Sequence, residues 1–207
     1  MGDWTLRLDE DDPDRQTLLF AYPARVATLA RAYLRPVVRI ELGARSDHWP
    51  SVQAPITPYV AQAFPAAFRA PPVAVKVLAV TRTFWEKATL LHAEHHRPLA
   101  KTMPARLSRH YYDLARLIVA GVGEQAVADL ELLQHVVAHK TVFFSSGWAR
   151  YAEARRGNLR LVPIAERIPA LAADYDSMRE MFFGEHLVFA EVLRILEEWE
   201  GRFNRRA

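Results

Sequence analysis

The sequence predicts an α+β fold, with strands in its first 80 residues and helices in the rest of the chain. Short apolar and β-branched runs, separated by turn-forming residues, occupy the first part. After Val80 the pattern changes to a helical one. Pro and Gly then divide the chain into segments that are long enough for helices. We therefore expect a sheet domain over residues 1–80 and a helical domain over residues 81–207.

Four segments of the first part have strand character. An acidic turn at residues 9–14 joins the first two segments and predicts a hairpin with a long loop. Residues 44–58 hold Pro and Ser and predict a loop, and residues 59–64 predict one or two helical turns. The predicted strands span residues 4–8, 16–22, 37–43 and 73–80.

The helices of the second part are predicted from their start and stop signals. Thr83 and Glu86 have the spacing of a capping box, so a helix is expected to begin there and to end before Pro98. Pro104 suits the first turn of the next helix, and Gly121 suits its end. Pro169 is expected to kink or delay a later helix. The predicted helices span residues 83–97, 104–120, 124–140, 164–183 and 185–203.

Composition excludes several classes of protein. The 207 residues are 51% apolar and 25% charged, which is the balance of a globular chain with a core. The absence of cysteine excludes disulfides and thiolate metal sites, and it fits a cytoplasmic protein. No apolar run is long enough to cross a membrane. The net charge of +3 does not by itself require a nucleic-acid partner.

Glu41 is a candidate site residue because of its position in the third predicted strand. Alternation along this strand places Val38, Ile40 and Leu42 on one face, which we expect helices to cover. Arg39 and Glu41 share the other face. They line a cleft in one interpretation and form a surface ion pair of little value to stability in the other.

Lys87 and Asp113 are candidates because of helix geometry. The connection between their predicted helices is short and bounded by prolines, so the helices are expected to pack antiparallel. At about 1.5 Å per residue, both side chains lie roughly 14 Å from that connection. The two residues can therefore lie level with each other. Such a pair binds a phosphate, orients a nucleophile or forms a simple ion pair, and Arg109 lies four residues before Asp113.

The segment from residue 82 to residue 110 is locally basic and rich in histidine. It forms either a surface for phosphates and RNA or an ordinary solvated helix face. His92 and His96 have a spacing that suits zinc, which is the basis of an alternative metal-hydrolase hypothesis. No third ligand is evident, so histidines on the surface or facing RNA are favoured. Asp174 and Asp176 diverge on a helix and do not suit a two-metal site.

Several stretches together resemble the AbiEii family of nucleotidyltransferase toxins. The most specific parts of the resemblance are Arg-Thr-Phe-Trp-Glu-Lys and Tyr-Tyr-Asp-Leu at their observed separation. The stretches cover much of the chain. They are residues 37–46 (VVRIELGARS), 75–87 (VKVLAVTRTFWEK), 109–117 (RHYYDLARL) and 174–181 (DYDSMREM).

The resemblance implies part of a polymerase-β-type nucleotidyltransferase domain with a mixed sheet, followed by a helical bundle. The activity it implies is transfer of a nucleotide from an NTP to an acceptor, tRNA in some members, with Mg²⁺. Glu41 matches the third metal-binding carboxylate, Lys87 the lysine at the nucleotide phosphates, and Asp113 a later acidic position of the active site. The residues expected to assist at the phosphates are Arg39, Arg82 and Arg109.

One part of the family pattern is missing from this sequence. The family begins with a Gly-Ser or Gly-Gly turn and an Asp-x-Asp pair, and nothing before Glu41 fits. We therefore expect an incomplete or inactive nucleotidyltransferase. The alternative is a non-catalytic module that binds nucleotide, RNA or a cognate antitoxin. An exposed sheet edge would also favour a homodimer.

Overall fold

The structure is a computed structural model that describes residues 4–12, 15–23, 37–43, 47, 49–68, 72–182 and 184–205. It confirms the α+β class, since five strands precede the long helices. No helix in these ranges is long and apolar enough to span a membrane. Some residues of predicted elements lie outside the described residues. They are Pro13 and Asp14 of the acidic turn, residues 44–46 and 48 of the predicted loop, and Phe183.

The strands form two antiparallel sheets where the resemblance implied a mixed sheet. The strands are β1 (Thr5–Leu8), β2 (Thr17–Ala21), β3 (Val37–Glu41), β4 (Ser51–Ile56) and β5 (Val73–Leu78). Sheet A has the order β1-β2-β3, and sheet B pairs β4 with β5. The predicted hairpin of β1 and β2 is confirmed by their antiparallel register. The connection over residues 9–16 is too short for the crossover that parallel pairing of β1 and β2 would need.

Strand β4 was not predicted, because its Pro and Ser residues indicated a loop over residues 44–58. In the structure Pro55 lies within the strand and is paired with Ala74 of β5. Each strand of a two-stranded sheet has one unpaired edge, and proline is tolerated there because no N–H is needed. A proline argues against a central strand but not against an edge strand. The prediction of a loop around Pro55 was therefore wrong because β4 is an edge strand.

The helices follow the predicted order with different bounds. They are α1 (Tyr59–Ala63), α2 (Val80–His95), α3 (Ser108–Val119), α4 (Val122–Val127), α5 (Leu130–Phe143), α6 (Ile168–Ser177) and α7 (Phe189–Arg205). Strand β5 ends at Leu78 and α2 begins at Val80, close to the predicted change of pattern. The division into two domains at residue 80 stays a prediction.

The predicted capping box at the start of α2 is wrong. The helix begins at Val80, and its preceding residue, Ala79, has no side-chain cap. Thr83 is already helical, since its N–H donates to the Ala79 carbonyl at 3.1 Å. The Glu86 carboxylate accepts instead from Arg82 Nε at 2.8 Å. Because the Glu86 carboxylate pairs with Arg82, it does not turn back to cap the N-terminus of α2.

Helix α3 begins at Ser108 and not near Pro104, because a distant carboxylate caps it. Asp174 of α6 accepts from the Arg106 N–H at 2.8 Å and from the Ser108 N–H at 2.9 Å. These bonds satisfy N–H groups that a helix start leaves without partners. The predicted end of this helix is confirmed, since Gly121 has a φ of 76°. Glycine adopts that left-handed conformation without a steric penalty.

The predicted helix over residues 124–140 is two helices, α4 and α5. Asp129 separates them and caps α5, accepting from the Leu132 N–H at 3.0 Å. A residue of this type before an apolar run is a typical N-cap, so the sequence did contain the signal. Pro169 delays α6 as predicted, because it lies in the first turn of that helix.

The core lies among α2 to α7 and is rich in aromatic rings. Phe84 and Trp85 of α2 are fully buried and pack against α7. The Trp199 ring lies 5.0 Å from the Phe84 ring and is stacked on Phe203 at 5.1 Å. This packing fixes α2 and therefore the direction in which its polar residues point.

The apolar face of sheet A is not covered as predicted. Val38, Ile40 and Leu42 are exposed over 49%, 41% and 59% of their surfaces among the described residues. The buried side chains of this sheet, Thr17 and Leu19, lie on its opposite face.

Candidate functional site

Lys87 and Asp113 form the centre of the site, because packing brings α2 and α3 together. The Lys87 Nζ donates a 2.7 Å hydrogen bond to Asp113 Oδ2. Both side chains are partly exposed, so the pair faces solvent and not the core. The predicted alignment of these residues is confirmed, although both helices have other bounds than the prediction assumed.

The pattern of buried residues explains why this pair points outward. On α2 the buried positions recur at three- and four-residue spacing and include Trp85 and Ala88. On α3 the same spacing buries Tyr111 and Leu114. Residues between these positions lie at the boundary with solvent. Lys87 and Asp113 therefore meet where two buried helix faces end.

His110 is the third member of the group. Its Nδ1 lies 3.4 Å from the Lys87 Nζ. Burial, and after it the positive charge of Lys87, lowers the pKa of His110 to about 4. The ring is therefore uncharged at neutral pH, and Nδ1 accepts from Lys87 when the ring proton is on Nε2. Two acceptors of α3, His110 and Asp113, thus hold one lysine of α2.

Two surface depressions meet at the Lys87–Asp113 pair. Each has a volume of about 460 Å³, which is in the range of small-molecule sites. Lys87, Tyr112 and Asp113 line both depressions. The first is completed by Arg109, His110, Met178, Met181 and Phe182. The second is completed by Thr83, Arg116, Leu117 and Ala120.

The charge around the pair suits an anion. Arg109 in the first depression and Arg116 in the second are both exposed. Each depression thus has two cationic side chains, counting Lys87, and the single carboxylate of Asp113. Clefts lined mainly by one sign of charge concentrate ligands of the other sign. Of the residues predicted for phosphate binding, Arg109 is the one that lies at this pair.

Arg39 and Glu41 lie together on sheet A. The Arg39 Nε is 2.9 Å from Glu41 Oε1, and its Nη2 is 3.2 Å from Asp9 Oδ2. Within the described part of the chain, no hydrogen bond or ion pair joins Glu41 to Lys87 or Asp113. The convergence of Glu41 with the other two residues stays a prediction.

Arg82 is buried and does not open onto the depressions at Lys87. Its guanidinium bonds Asp47 Oδ2 at 3.1 Å, the Trp49 carbonyl at 2.7 Å and the Glu86 carboxylate at 2.8 Å. The hydrogen bond from His135 and the charge of Arg82 hold the pKa of Asp47 well below its usual range. Arg82 therefore ties the chain before β4 to α2, and the expected phosphate role is not supported by this position.

His92 of α2 is part of the folded interior, which corrects for this residue the prediction of surface or RNA-facing histidines. His92 is fully buried, with Nε2 3.1 Å from the Arg150 carbonyl and Nδ1 accepting from the Arg160 N–H at 3.1 Å. His95 Nδ1 lies 2.6 Å from the Val162 carbonyl. Both ring nitrogens of His92 are occupied, so this residue has no lone pair for zinc. His92 is therefore not available as a zinc ligand, and the alternative metal-hydrolase hypothesis, which needs both His92 and His96, is not supported.

The expected Mg²⁺ has no matching ligand set within the described ranges. No group of three His, Cys, Asp or Glu residues there is arranged to hold a metal ion. Asp113 is paired with Lys87, and Glu41 with Arg39. Asp174 is engaged by the backbone at the start of α3. A magnesium site requires several oxygen ligands together, so Mg²⁺ binding remains an expectation from the resemblance.

Sequence reasoning missed the individual roles of His110, Tyr112 and Arg116 at this site. His110 lies three residues before Asp113 and Arg116 three residues after it, which is the spacing of one helix face. That signal was available in the sequence. The contribution of Met178, Met181 and Phe182 was not available, since these residues reach the depression only through tertiary packing.

Comparison with known proteins assigns the chain to the nucleotidyltransferase toxins. A family model described as nucleotidyl transferase AbiEii toxin, type IV TA system, matches residues 5–197. The chain belongs to this AbiEii family. No curated protein and no solved structure shows a significant match to the chain.

Proposed function

We propose that the Lys87–Asp113 site binds the triphosphate of an NTP, which serves as donor for nucleotidyl transfer to an acceptor. The observation that supports this most is the 2.7 Å pair lying between two cationic depressions. Membership of the AbiEii family supplies the reaction class. An isolated surface ion pair would need neither the depressions nor the flanking arginines.

Lys87 is the residue that would contact the phosphate. Among the described residues its amine has two partners, Asp113 and His110, and an ammonium has three N–H groups. One N–H therefore remains to donate to a phosphate oxygen. Asp113 and His110 hold the amine in place before the ligand arrives, which reduces the entropy that binding must restrict.

In this proposal the two depressions bind different substrates, the NTP in one and the acceptor in the other. In phosphoryl transfer the attacking and leaving oxygens lie roughly in line on opposite sides of phosphorus. A phosphorus atom next to Lys87 would lie within reach of both depressions, since Lys87 lines each of them. Arg109 would neutralise the phosphates of the NTP on one side, and Arg116 the backbone of an RNA acceptor, such as tRNA, on the other.

A non-catalytic binding module is the second candidate function. The described residues include no group of three His, Cys, Asp or Glu arranged to hold a metal ion, while Lys87 and Arg109 line one depression together. In this alternative the scaffold binds nucleotide, RNA or a cognate antitoxin without transfer. The type IV toxin–antitoxin family supports an antitoxin as a partner.

Calorimetric titration with inorganic tripolyphosphate and with each NTP tests the binding step. We expect Lys87→Met to weaken binding of tripolyphosphate roughly tenfold or more, because a charge-assisted contact is lost. Lys101→Met, which removes an exposed lysine elsewhere, is the matched control. Equal binding by the two variants would exclude the proposed site.

Label transfer from an α-labelled NTP to total tRNA, with Mg²⁺ present, distinguishes the two candidate functions. Transfer that Lys87→Met abolishes and Lys101→Met retains supports the enzyme. Binding without transfer supports the non-catalytic module.

A further inference from the structure

Sheet A has one face made entirely of apolar side chains. The register places Leu6 opposite Phe20, and Phe20 opposite Val38. The next row consists of Leu8, Leu18 and Ile40. Directly opposed residues of antiparallel strands project from the same face. Trp4 extends this face at one end, since its ring lies 5.3 Å from that of Phe20.

This face is open to solvent among the described residues. Seven of its side chains are exposed over 41–67% of their surfaces. They are Trp4, Leu6, Leu8, Tyr22, Val38, Ile40 and Leu42. Single exposed apolar residues are ordinary on proteins, but a continuous patch of this kind marks an interaction surface.

The charged residues of the strands lie on the opposite face. Arg7 is opposite Leu19, which is opposite Arg39, and Glu41 is opposite Thr17. Within the described strands, the apolar face therefore contains no charge that would repel an identical face. A surface that is apolar throughout is complementary to itself, which is the requirement of a two-fold symmetric interface.

The size of the face also matches a dimer. Whole-residue surfaces run from roughly 170 Å² for Val to roughly 280 Å² for Trp, so the two aromatic and five aliphatic residues at 41–67% exposure present on the order of 700 Å². A standard interface buries about 800 Å² on each partner.

We propose that sheet A of one chain packs face to face on sheet A of a second copy of this chain. Stacked sheets lie about 10 Å apart, so the two apolar faces interdigitate as a sandwich core does. The Lys87–Asp113 pair is on the helices and is not part of this surface. The proposal is therefore independent of the proposed nucleotide site.

Analytical ultracentrifugation of the full chain over a wide concentration range tests this dimer. We expect wild type to sediment at about twice the 23.6 kDa mass of the chain. Ile40→Glu places a charge in the centre of the face, and we expect it to be monomeric with unchanged circular dichroism. If that variant fails to fold, Ile40→Thr retains the β-branched shape, and we expect it to raise the dissociation constant at least tenfold.

Val73→Glu is the matched control, because Val73 is an exposed apolar strand residue of sheet B. We expect this variant to remain dimeric. A monomeric wild type at every concentration would overturn the proposal, and would leave another segment of the chain or an antitoxin to cover the face. A dimer that Ile40→Glu leaves intact, or that Val73→Glu dissociates, would overturn it as well.

Discussion

Lys87 of α2 and Asp113 of α3 are 26 residues apart in sequence and are joined by a 2.7 Å hydrogen bond at the boundary of the helical core. His110 on the same helix as Asp113 is the second acceptor near the lysine amine. The three residues give the candidate site a defined geometry before any ligand binds.

Asp113→Asn is expected to tighten binding of tripolyphosphate while it abolishes any nucleotidyl transfer. The substitution removes the negative charge next to the proposed phosphate position, so anion binding should improve several-fold at low salt. Titration calorimetry measures the first effect and label transfer the second. Asp176→Asn makes the same charge change at an exposed carboxylate and should alter neither. Weaker anion binding by Asp113→Asn would contradict an electrostatic role and indicate that holding Lys87 in place matters more.

Asp174→Ala is expected to destabilise the protein by roughly 1–3 kcal/mol, because the start of α3 loses its cap. Asp174 accepts from two backbone N–H groups and from the Ser108 hydroxyl at 2.6 Å. Urea denaturation at neutral pH gives the free energy of unfolding. Asp176→Ala, on the exposed side of the same helix, should change it by less than about 0.5 kcal/mol. Similar losses for both variants would mean that the cap is not the cause.

Folding stability is expected to fall as the pH is lowered from 6.5 to 4. Burial lowers the pKa of His92 from 6.5 to about 4 in the folded state. The unfolded chain then binds the proton first, so the stabilisation is complete above pH 6.5 and is lost as the pH falls toward 4. A shift of this size is worth roughly 3 kcal/mol.

Urea midpoints at pH 7.5 and pH 5 measure this dependence on pH. His92→Gln should make the urea midpoint less dependent on pH. The same substitution also leaves the Arg160 N–H without its acceptor, which lowers stability at every pH. A profile that is unchanged in His92→Gln would assign the pH dependence to other groups.

Gly123→Ala is expected to destabilise the protein by about 1–3 kcal/mol, because the core has no room for the added methyl group. A Cβ at residue 123 would lie 2.4 Å from the Trp199 Nε1, and Trp199 is packed between aromatic rings. Gly147→Ala is the control, since a Cβ there meets nothing within 4 Å. Thermal and urea unfolding of both variants provide the comparison. An unchanged melting temperature for Gly123→Ala would show that Trp199 can move at little cost.

The sequence by itself determined the order of most elements and the pairing of two residues of the candidate site. Apolar periodicity and breaker residues act over a few positions, so the hairpin of β1 and β2, the end of α3 at Gly121 and the delay of α6 by Pro169 were predictable. The Lys87–Asp113 pairing was predicted from antiparallel packing of consecutive helices, although the helix ends at His95 and Ser108 do not give the equal distances that the prediction assumed. Strand β4 was missed because the tolerance of Pro55 depends on whether its strand is an edge.

Only the tertiary structure decided the features that depend on distant partners. Asp174 sets the start of α3 from 66 residues away, and His92 bonds the Arg150 carbonyl from 58 residues away. Arg82 is buried because Asp47 and Glu86 neutralise it together. The alternation of side chains in a strand shows which residues share a face of sheet A. It cannot show whether another element covers that face. Local pattern fixes the elements and their faces, whereas burial and pairing arise when segments far apart in the chain meet.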